Sequence, residues 1–388
     1  MPLKFIRRFT RSILLIPTIL VAFLFVLACL ASELNPVRWW FVGALSLLIP
    51  YLVIILVFAF IFWLITKPKA SLIPLLALLI GWRQIKVVFS YHIFSSFEVE
   101  NKAPATIRLV SWNVASMYGI SQQSANKKYD RKEIAATIQG LTPDIICLQE
   151  FNHSETQGQQ ADNIGLFSEA YPYHYFSKDV NKRNGYYQSG SIIFSKYPII
   201  RAQKIRYPRG ISESFIYADI LHGMDTLRIF NVHLQSYKFS PQDYQDIKSI
   251  KQQSDSTLQA SYSILKKMQL AYSRRAVQAG MIRKAADTTS LPSIICGDFN
   301  DVPASYAYVK IRGRHRYDAF LKKSWGIGRT YDAIAPTLRI DYILPDDRFK
   351  VQQFDLVDEN LSDHMLLVSD LSLEPPVKRA VAKDKKRP

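Results

Sequence analysis

Three short polar strings in this 388-residue chain each follow an apolar run of the kind that forms a buried β-strand. Asn113 lies in VSWNVAS, Glu150 ends DIICLQE, and Asp298 and Asn300 lie in ICGDFND. A carboxylate or amide at the end of a buried strand stands at the rim of its sheet, where several strands can direct oxygen ligands to one point. Oxygen ligands suit a hard cation, so this pattern predicts a site for Mg²⁺, with Mn²⁺ as the alternative.

A fourth string, LSDHMLL, contains Asp363 and His364 between the apolar runs RIDYIL and MLLVSD. Neighbouring side chains on an extended segment point apart, so we assign Asp363 to the cation and His364 to a phosphate oxygen. Asp341, in RIDYIL, is the candidate partner that fixes the tautomer of His364 and favours its imidazolium form. His233, in FNVHLQS, follows another apolar run and is a second candidate donor to phosphate.

The types of these residues indicate hydrolysis of a phosphate ester. Asp298 and Asn300 are two apart in an extended segment, so both side chains can orient a water near phosphorus. The carboxylate of Glu150 and the amide oxygen of Asn113 are acceptable contacts for Mg²⁺. Each string alone also has a structural explanation, such as a turn, a solvated strand end or a buried histidine. Their joint presence favours the catalytic interpretation.

The elements that must position these residues lie after residue 100. Short strand-like runs bounded by Gly and Pro alternate there with stretches of helical spacing. Many strands with few helices predict an α+β fold, in which two mixed sheets pack face to face with helices outside.

Nearly all of the long apolar runs lie before residue 95 and predict a membrane segment. Residues 12–31 carry no charge and can span a hydrocarbon core, and residues 39–66 form a second run with two tryptophans at its entry. A cleavable signal peptide would explain the first run alone, but the second run argues against it. Residues 71–90 form a third run that either crosses the membrane or lies in its interface, because Arg83 and Lys86 make a full crossing unfavourable.

Basic residues beside these runs predict the orientation. Several precede the first run, and Lys67 and Lys69 follow the second, so both flanks are expected in the cytoplasm. A third crossing would place the rest of the chain outside the cytoplasm, whereas an interfacial third run would leave it inside. We favour three crossings, which predict a multi-pass protein of the cell inner membrane with its soluble domain outside the cytoplasm.

Composition leaves the partner open. The formal net charge of +17 suits nucleic acid, phosphorylated lipid headgroups or an anionic bilayer, and it is also typical of a plain solvated surface. The cysteines Cys29, Cys147 and Cys296 lack the spacing of a zinc site or a disulfide framework. A bridge between Cys147 and Cys296 is conceivable because both lie in predicted strands, but buried free thiols are the preferred interpretation.

Seven strings occur in order along the second part of the chain: SWNV, CLQE, SGSIIFSKYPI, VHLQS, CGDFND, RIDYIL and SDH. With them, residues 106–373 resemble the endonuclease/exonuclease/phosphatase family, which has the DNase I-like fold, in a membrane-anchored, bacterial-type form. The resemblance implies a four-layer α/β sandwich of two mixed β-sheets flanked by helices, and a divalent cation, usually Mg²⁺. It implies cation-binding, water-activating and phosphate-contacting roles for the matching residues. These are Asn113, Glu150, His233, Asp298, Asn300, Asp341, Asp363 and His364.

The expected function is membrane-anchored, metal-dependent hydrolysis of a phosphodiester or phosphomonoester by in-line attack of an activated water. The expected partners are the lipid bilayer and a phosphate-ester substrate, either nucleic acid or a phospholipid headgroup, with no obligate protein partner. One rival is a catalytically inactive binding or scaffold protein on the same fold, and another is a nuclease for extracellular or envelope-associated nucleic acid. The predicted divisions are a membrane segment (1–95), a linker (96–105), a hydrolase domain (106–373) and a basic disordered tail (374–388).

Overall fold

The N-terminal apolar sequence folds into helices, and the remainder of the chain folds into two β-sheets with helices on their outer faces. The tail predicted over 374–388 lies outside the described residues apart from Glu374. The computed structural model describes residues 2–93, 95–117, 127–158, 161–208, 213–251, 257–331 and 335–374.

Five α-helices occupy residues 2–88, all of which are described. They are α1 (Pro2–Cys29), α2 (Pro36–Leu45), α3 (Ile49–Thr66), α4 (Pro68–Ile80) and α5 (Trp82–Val88). Asn35 caps α2 by accepting a hydrogen bond from the Val37 amide, and prolines in the first turns of α2, α3 and α4 suit those positions. Two stretches, Leu14–Ser32 and Pro36–Thr66, are long and apolar enough to cross a membrane.

Helices α1, α3 and α4 pack together as a bundle, in which α4 turns back along α3 directly after Lys67. The Trp63 indole donates a hydrogen bond to Thr18 Oγ1 at 3.0 Å, which ties α3 to α1. The predicted run 39–66 is interrupted by a 3-10 turn at Ser46–Leu48. The predicted third run corresponds to the pair α4 and α5, which is bent by 63°. The pair is long and apolar enough to cross a membrane only if the two helices together form one broken span, and the alternative is a re-entrant loop.

The described strands form two large mixed sheets and one small antiparallel pair, β1 with β11. The seven-stranded sheet has the order β13-β14-β2-β3-β6-β4 with β5 beside β6, and the five-stranded sheet has the order β12-β10-β9-β8-β7. The strands are β1 (Ser90–Tyr91), β2 (Thr106–Asn113), β3 (Ile145–His153), β4 (Tyr173–Phe176), β5 (Val180–Lys182), β6 (Tyr187–Ser195), β7 (Ile199–Arg206), β8 (Ser214–His222), β9 (Asp225–His233), β10 (Ser293–Asp298), β11 (Trp325–Gly326), β12 (Asp341–Pro345), β13 (Phe349–Val357) and β14 (Leu366–Leu373).

The sheets face each other across buried aliphatic side chains such as Leu109 and Ile294. Helix α6 (Lys127–Gly140) covers the outer face of the seven-stranded sheet, and α8 (Thr257–Asp287) and α9 (Tyr306–Arg312) cover that of the five-stranded sheet. Helix α7 (Pro241–Lys251) packs on α8, and α10 (Ala319–Lys323) packs against β12 and β13 at the edge of the core between the sheets. Ile134 of α6 packs on the seven-stranded sheet, and Ile282 of α8 packs on the five-stranded sheet. The order helix, sheet, sheet, helix confirms the predicted four-layer α/β sandwich.

Two further features bear on the sequence predictions. The segment predicted as a linker, 96–105, is attached to the domain, since the Glu98 amide donates to Gln353 Oε1 at 2.9 Å. The three cysteines of the chain are free and buried, which confirms the interpretation as free thiols.

Candidate active site

Strand register in the five-stranded sheet places three of the predicted residues side by side. Asp298, the last residue of β10, is opposite His233 on the parallel strand β9 and opposite Asp341 on the antiparallel strand β12. Because paired strands lie about 4.8 Å apart, these side chains share one edge of the sheet. Sequence reasoning could put each residue at a strand end, but the pairing of the strands is a property of the fold.

Two more residues come from the facing seven-stranded sheet. Asn113 ends β2 and is opposite Gln149 on the parallel strand β3. Glu150 follows at a β-bulge between Leu148 and Phe151, and its φ is 51°. A non-glycine residue in this left-handed region is strained by roughly 1–3 kcal/mol, and such strain is concentrated at functional sites. The bulge takes Glu150 out of the strand ladder and re-aims its carboxylate at the rim.

The carboxylate of Asp298 is held on both of its oxygens. The Asn300 amide nitrogen of the main chain donates to Oδ1 at 2.7 Å, and the side-chain amides of Asn300 and Asn113 donate to Oδ2 at 3.1 Å each. Gly297 precedes it with a φ of 130°, and a Cβ there would lie 2.0 Å from the Val232 carbonyl oxygen. The close approach of β9 therefore requires glycine at this point, directly before the carboxylate.

His364 lies between two of the predicted acids. Its Nδ1 is 2.9 Å from Asp341 Oδ2, and its Nε2 is 3.8 Å from Asp298 Oδ2. The ring of Tyr331 lies 4.8 Å from the imidazole, measured between centroids. The imidazole is buried, so its orientation is set by these three neighbours.

His233 and Asn113 complete the contacts around the two carboxylates. His233 Nε2 is 3.7 Å from Asp298 Oδ2 and 3.8 Å from Glu150 Oε1. The Asn113 side-chain nitrogen also donates to Glu150 Oε1 at 3.2 Å, whereas its oxygen accepts from the Ala115 amide at 3.1 Å. In this arrangement Asn113 bridges the carboxylates of Glu150 and Asp298, and its direct binding of a cation stays a prediction.

Burial and mutual charge shift the pKa values of the two central groups. Burial, and then the charge of Asp341, raises the pKa of Asp298 to about 6. Burial lowers the pKa of His364, but the charges of Asp341 and Asp298 outweigh it and raise that pKa to about 10. At neutral pH His364 is therefore an imidazolium, and Asp298 is a base whose pKa lies close to the surrounding pH.

A cleft of about 190 Å³ opens over these groups, with Glu150, Asp298, Asn300, Asp363 and His364 among its lining. The predicted residues are thus brought together from both sheets, and His233 and Asp341 contact this floor from the side. Sequence reasoning missed the rest of the lining. Only the alternating aromatics after VHLQS offered a signal for it. The missed residues include Leu47, Tyr237, Phe239, Tyr244, Tyr331 and Leu338.

The donors at this rim fit a hard divalent cation. Glu150 and Asp363 both line the cleft with carboxylate oxygens. Burial raises the pKa of Asp363, His364 opposes this, and Glu150 raises the pKa further, so a cation beside Asp363 would relieve an unfavourable negative charge. A buried group of Asp298, Asp341 and His364, whose ligand atoms lie within 4.8 Å of one another, could also hold a metal. Because His364 already donates to Asp341, we assign that group to acid–base chemistry instead.

Comparison with known proteins identifies the family to which the chain belongs. The sequence profile of the Endonuclease/Exonuclease/phosphatase family matches residues 110–364, more than half of the chain. The chain therefore belongs to this family, which confirms the resemblance found in the sequence. Members of the family are phosphoester hydrolases, and the family is generally dependent on divalent metals. Residues 11–88 match a domain of unknown function (DUF8431). No curated protein matches the chain.

Solved structures of the same family are similar to this one. An endonuclease/exonuclease/phosphatase from Beutenbergia cavernae DSM 12333 has 18% sequence identity and a TM-score of 0.48, covering 70% of this chain and 72% of its own. A family protein from Leptotrichia buccalis C-1013-b has 16% identity and a TM-score of 0.46, covering 69% and 100%. The human Nocturnin catalytic domain, solved with a bound sulfate anion, has 18% identity and a TM-score of 0.47, covering 70% and 96%.

Proposed function

We propose that the protein is a membrane-anchored, divalent-metal-dependent phosphoesterase that hydrolyses a phosphodiester or phosphomonoester bond. The observation that carries the proposal is the position of Asp298. Its carboxylate is oriented by Asn300 and lies 3.8 Å from the ring of His364, which pairs with Asp341. Asp298, as a base, and His364, as a cationic hydrogen-bond donor, therefore lie next to the same part of the cleft beside Glu150.

In the proposed reaction each of these residues has a separate role. Asp298 accepts a proton from a water whose oxygen attacks phosphorus in line with the bond that breaks. The ester oxygen leaves on the opposite side with its electron pair and takes up a proton from solvent. His364, held by Asp341, donates to a phosphate oxygen as negative charge develops, and His233 donates to a second one. Asn300 keeps the carboxylate in its accepting orientation.

Glu150 and Asp363, with Asn113 beside them, would hold the cation, which we take to be Mg²⁺ with Mn²⁺ as the alternative. Bound there, it would neutralise charge on the phosphate oxygens. The described residues that line the cleft offer carboxylate oxygens and include no cysteine. Such a set of ligands favours these hard ions over zinc.

We further propose that α1, α3 and α4 cross the membrane. Large apolar side chains such as Phe58 and Ile65 are exposed on the bundle, as expected for contact with lipid. Helix α4 rises about 20 Å, which is short for a span, and α5 then continues at an angle of 63° to it. Three crossings put the N-terminus and Lys67 in the cytoplasm and the hydrolase domain outside it, in the cell inner membrane.

Each segment predicted from the sequence has a role in the proposed function. Residues 1–95 anchor the protein, 96–105 connect, 106–373 carry the reaction, and 374–388 form a basic tail. The bilayer and a phosphate-ester substrate are the expected partners.

The experiment is a substrate panel with the purified full chain in detergent and Mg²⁺ or Mn²⁺. The panel contains an aryl phosphodiester, an aryl phosphomonoester, single- and double-stranded DNA, RNA, phosphoinositides and sphingomyelin. We expect cation-dependent hydrolysis of at least one substrate and its loss in Asp298→Asn and His364→Ala. No hydrolysis of any substrate, with Mg²⁺ binding intact, would instead favour an inactive binding protein.

A further inference from the structure

The N-terminal segment contributes to the wall of the catalytic cleft. Leu47, in the 3-10 turn that joins α2 to α3, lines the same cleft as the catalytic carboxylates. One turn further along, Tyr51 accepts a hydrogen bond from Thr337 at 3.2 Å. The residue after Thr337 is Leu338, which also lines the cleft. The start of α3 is therefore in direct contact with the wall of the cleft.

A second contact fixes the helical segment on the hydrolase domain. Helix α2 lies on α8, and Gly43 faces the ring of Tyr272, where a Cβ would be in ordinary contact at 3.4 Å. The hydroxyl of Tyr272 accepts a hydrogen bond from Tyr237 at 3.0 Å, and Tyr237 lines the cleft. Helix α2 therefore lies directly behind the cleft wall.

Arg339, which lies between the lining residues Leu338 and Ile340, makes a third contact with the helical segment. Its buried guanidinium donates to the Val87 carbonyl at 2.7 Å, pairs with Asp318, and donates to the Ile327 carbonyl at 3.0 Å. Val87 lies in the last turn of α5, where helix carbonyls lack intrahelical donors. The end of the helical segment is therefore bound beside the strand that carries Asp341.

The cleft combines a polar floor with walls that are mostly apolar or aromatic. Tyr237 stacks on Phe239 at 5.1 Å between centroids, Phe239 contacts Tyr244 at 6.0 Å, and the hydroxyls of Tyr244 and Tyr331 are 3.1 Å apart. Such walls suit a ligand with an apolar part. A nucleic acid would need several basic side chains along its backbone. Among the described residues that line the cleft, one is a lysine, Lys238, and it pairs with Glu213 at 3.1 Å.

The cleft lies at the end of the bundle, which the proposed crossings would place at the level of the bilayer surface. Leu47 precedes the first residue of α3, whereas Trp63, which contacts α1, lies about 24 Å further along the axis. Exposed aromatic side chains lie on the elements that flank the bundle in sequence, namely Trp39 on α2 and the cross-strand pair of Tyr91, which follows α5, and Trp325. Tryptophan and tyrosine at such positions are typical of the membrane interface.

We propose that the substrate is a membrane lipid whose headgroup carries the phosphate ester. Its phosphate would reach the polar floor while its apolar part lies against Leu47 and the aromatic side chains. A headgroup phosphate is held at the same depth as the cleft, so the lipid reaches the catalytic carboxylates without leaving the bilayer. This inference rests on the proposed phosphoesterase function and names the class of its substrate.

The test uses the full chain in nanodiscs or vesicles with Mg²⁺. Each phospholipid of a panel (phosphatidylcholine vesicles containing phosphatidylglycerol, phosphatidic acid, a phosphoinositide or sphingomyelin) is compared with its soluble headgroup counterpart lacking the acyl chains. DNA, RNA and a soluble aryl phosphodiester are assayed beside them. We expect one lipid to be hydrolysed at a kcat/KM at least about tenfold above that of its soluble counterpart.

The matched variants are Leu47→Ala and Leu48→Ala, which remove the same atoms from adjacent positions. Leu47 lines the cleft, whereas Leu48 is exposed and does not. Leu47→Ala should lower the ratio of the lipid rate to the aryl rate roughly tenfold, since it removes apolar contact with the lipid alone. Leu48→Ala should leave that ratio unchanged, and the aryl rate reports that each variant is folded.

The two proposals fail in different ways. Equal rates on the lipids and their soluble counterparts, or faster hydrolysis of nucleic acid, would overturn the lipid substrate. The phosphoesterase function would then still stand on aryl hydrolysis that is lost in His364→Ala. Absence of hydrolysis of every phosphate ester would remove the phosphoesterase function and the lipid inference together.

Discussion

Asp341 Oδ2 lies 2.9 Å from Nδ1 of His364, and this contact joins the two sheets at the rim of the cleft. Asp341 begins β12 of the five-stranded sheet, and His364 lies just before β14 of the seven-stranded sheet. The pair is buried, so its charge interaction is screened little by water. The protonation state of the catalytic histidine therefore depends on correct packing of one sheet against the other.

Asp341→Asn should change the pH dependence of the reaction. Burial lowers the pKa of His364, and Asp341 with Asp298 raises it to about 10, so the imidazolium is lost only as the pH approaches that value. Removing one of the two negative charges lowers the pKa, and the alkaline fall in kcat/KM should move to lower pH. The measurement is a pH profile with an aryl phosphodiester.

Asp347→Asn is the matched control, because Asp347 pairs with the exposed His315 at 3.3 Å outside the cleft. Its pH profile should equal that of the wild type. A profile for Asp341→Asn that is lower by one constant factor at every pH would contradict the role assigned to the pair.

Substitution of Asp298 or His364 should nearly abolish turnover. Each supplies a preorganised group worth about 3–4 kcal/mol to the transition state, so Asp298→Asn and His364→Ala should each lower kcat by roughly 100- to 1000-fold. His315→Ala is the control for loss of an imidazole, and it should leave kcat unchanged. Variants at Asp298 and His364 that retain more than a tenth of the wild-type kcat would refute these roles.

Much of the candidate site could be predicted because its residues follow apolar runs. Asn113 and Asp298 each end a buried strand whose sequence is mostly apolar, although β2 also contains the buried Arg108. The register that sets Asp298 between His233 and Asp341 could not be predicted, since it depends on which strands pair. Nor does spacing reveal the bulge that turns Glu150 out of β3.

The part of the cleft supplied by the N-terminal segment was beyond sequence reasoning for a different reason. Leu47 lies in an apolar run that reads as one continuous span, and although Pro50 marks a helix start just after Ser46–Leu48, it does not show what the turn packs against. Its position depends on packing of α2 against α8, a contact between residues far apart in the chain. The apolar walls of the cleft carry no polar signal, so pattern alone assigns them to core or membrane.

Glu150→Gln should weaken cation binding. The change removes one carboxylate charge from the proposed ligands, so we expect the dissociation constant for Mg²⁺, measured by calorimetry, to rise roughly tenfold or more. Glu155→Gln is the matched control, because Glu155 lies outside the cleft and accepts hydrogen bonds from Lys178 and Gln188. Equal Mg²⁺ affinity in the two variants would show that Glu150 is not a ligand.

Arg339→Ala should destabilise the protein more than removal of a half-buried arginine. The change leaves the buried carboxylate of Asp318 without its partner and the Val87 carbonyl without its donor. Breaking a buried pair in this way costs about 3–5 kcal/mol, so the melting temperature of the purified chain in detergent should fall by several degrees. Arg329→Ala, which removes a guanidinium 3.9 Å from the carboxylate of Asp358, should have the melting temperature of the wild type. A melting temperature of Arg339→Ala equal to that of the wild type would contradict a stabilising role for these contacts of Arg339.

Accessible cysteines should report the side of the membrane on which each part of the chain lies. The native thiols are buried, so background labelling is low. Met224, on the turn between β8 and β9, is fully exposed on the hydrolase domain, and Lys67 is exposed between α3 and α4. With three crossings, a membrane-impermeant maleimide should label Met224→Cys but not Lys67→Cys in intact spheroplasts, and both after lysis. Protection of both positions before lysis would mean that α4 and α5 stay in the interface and the domain is cytoplasmic.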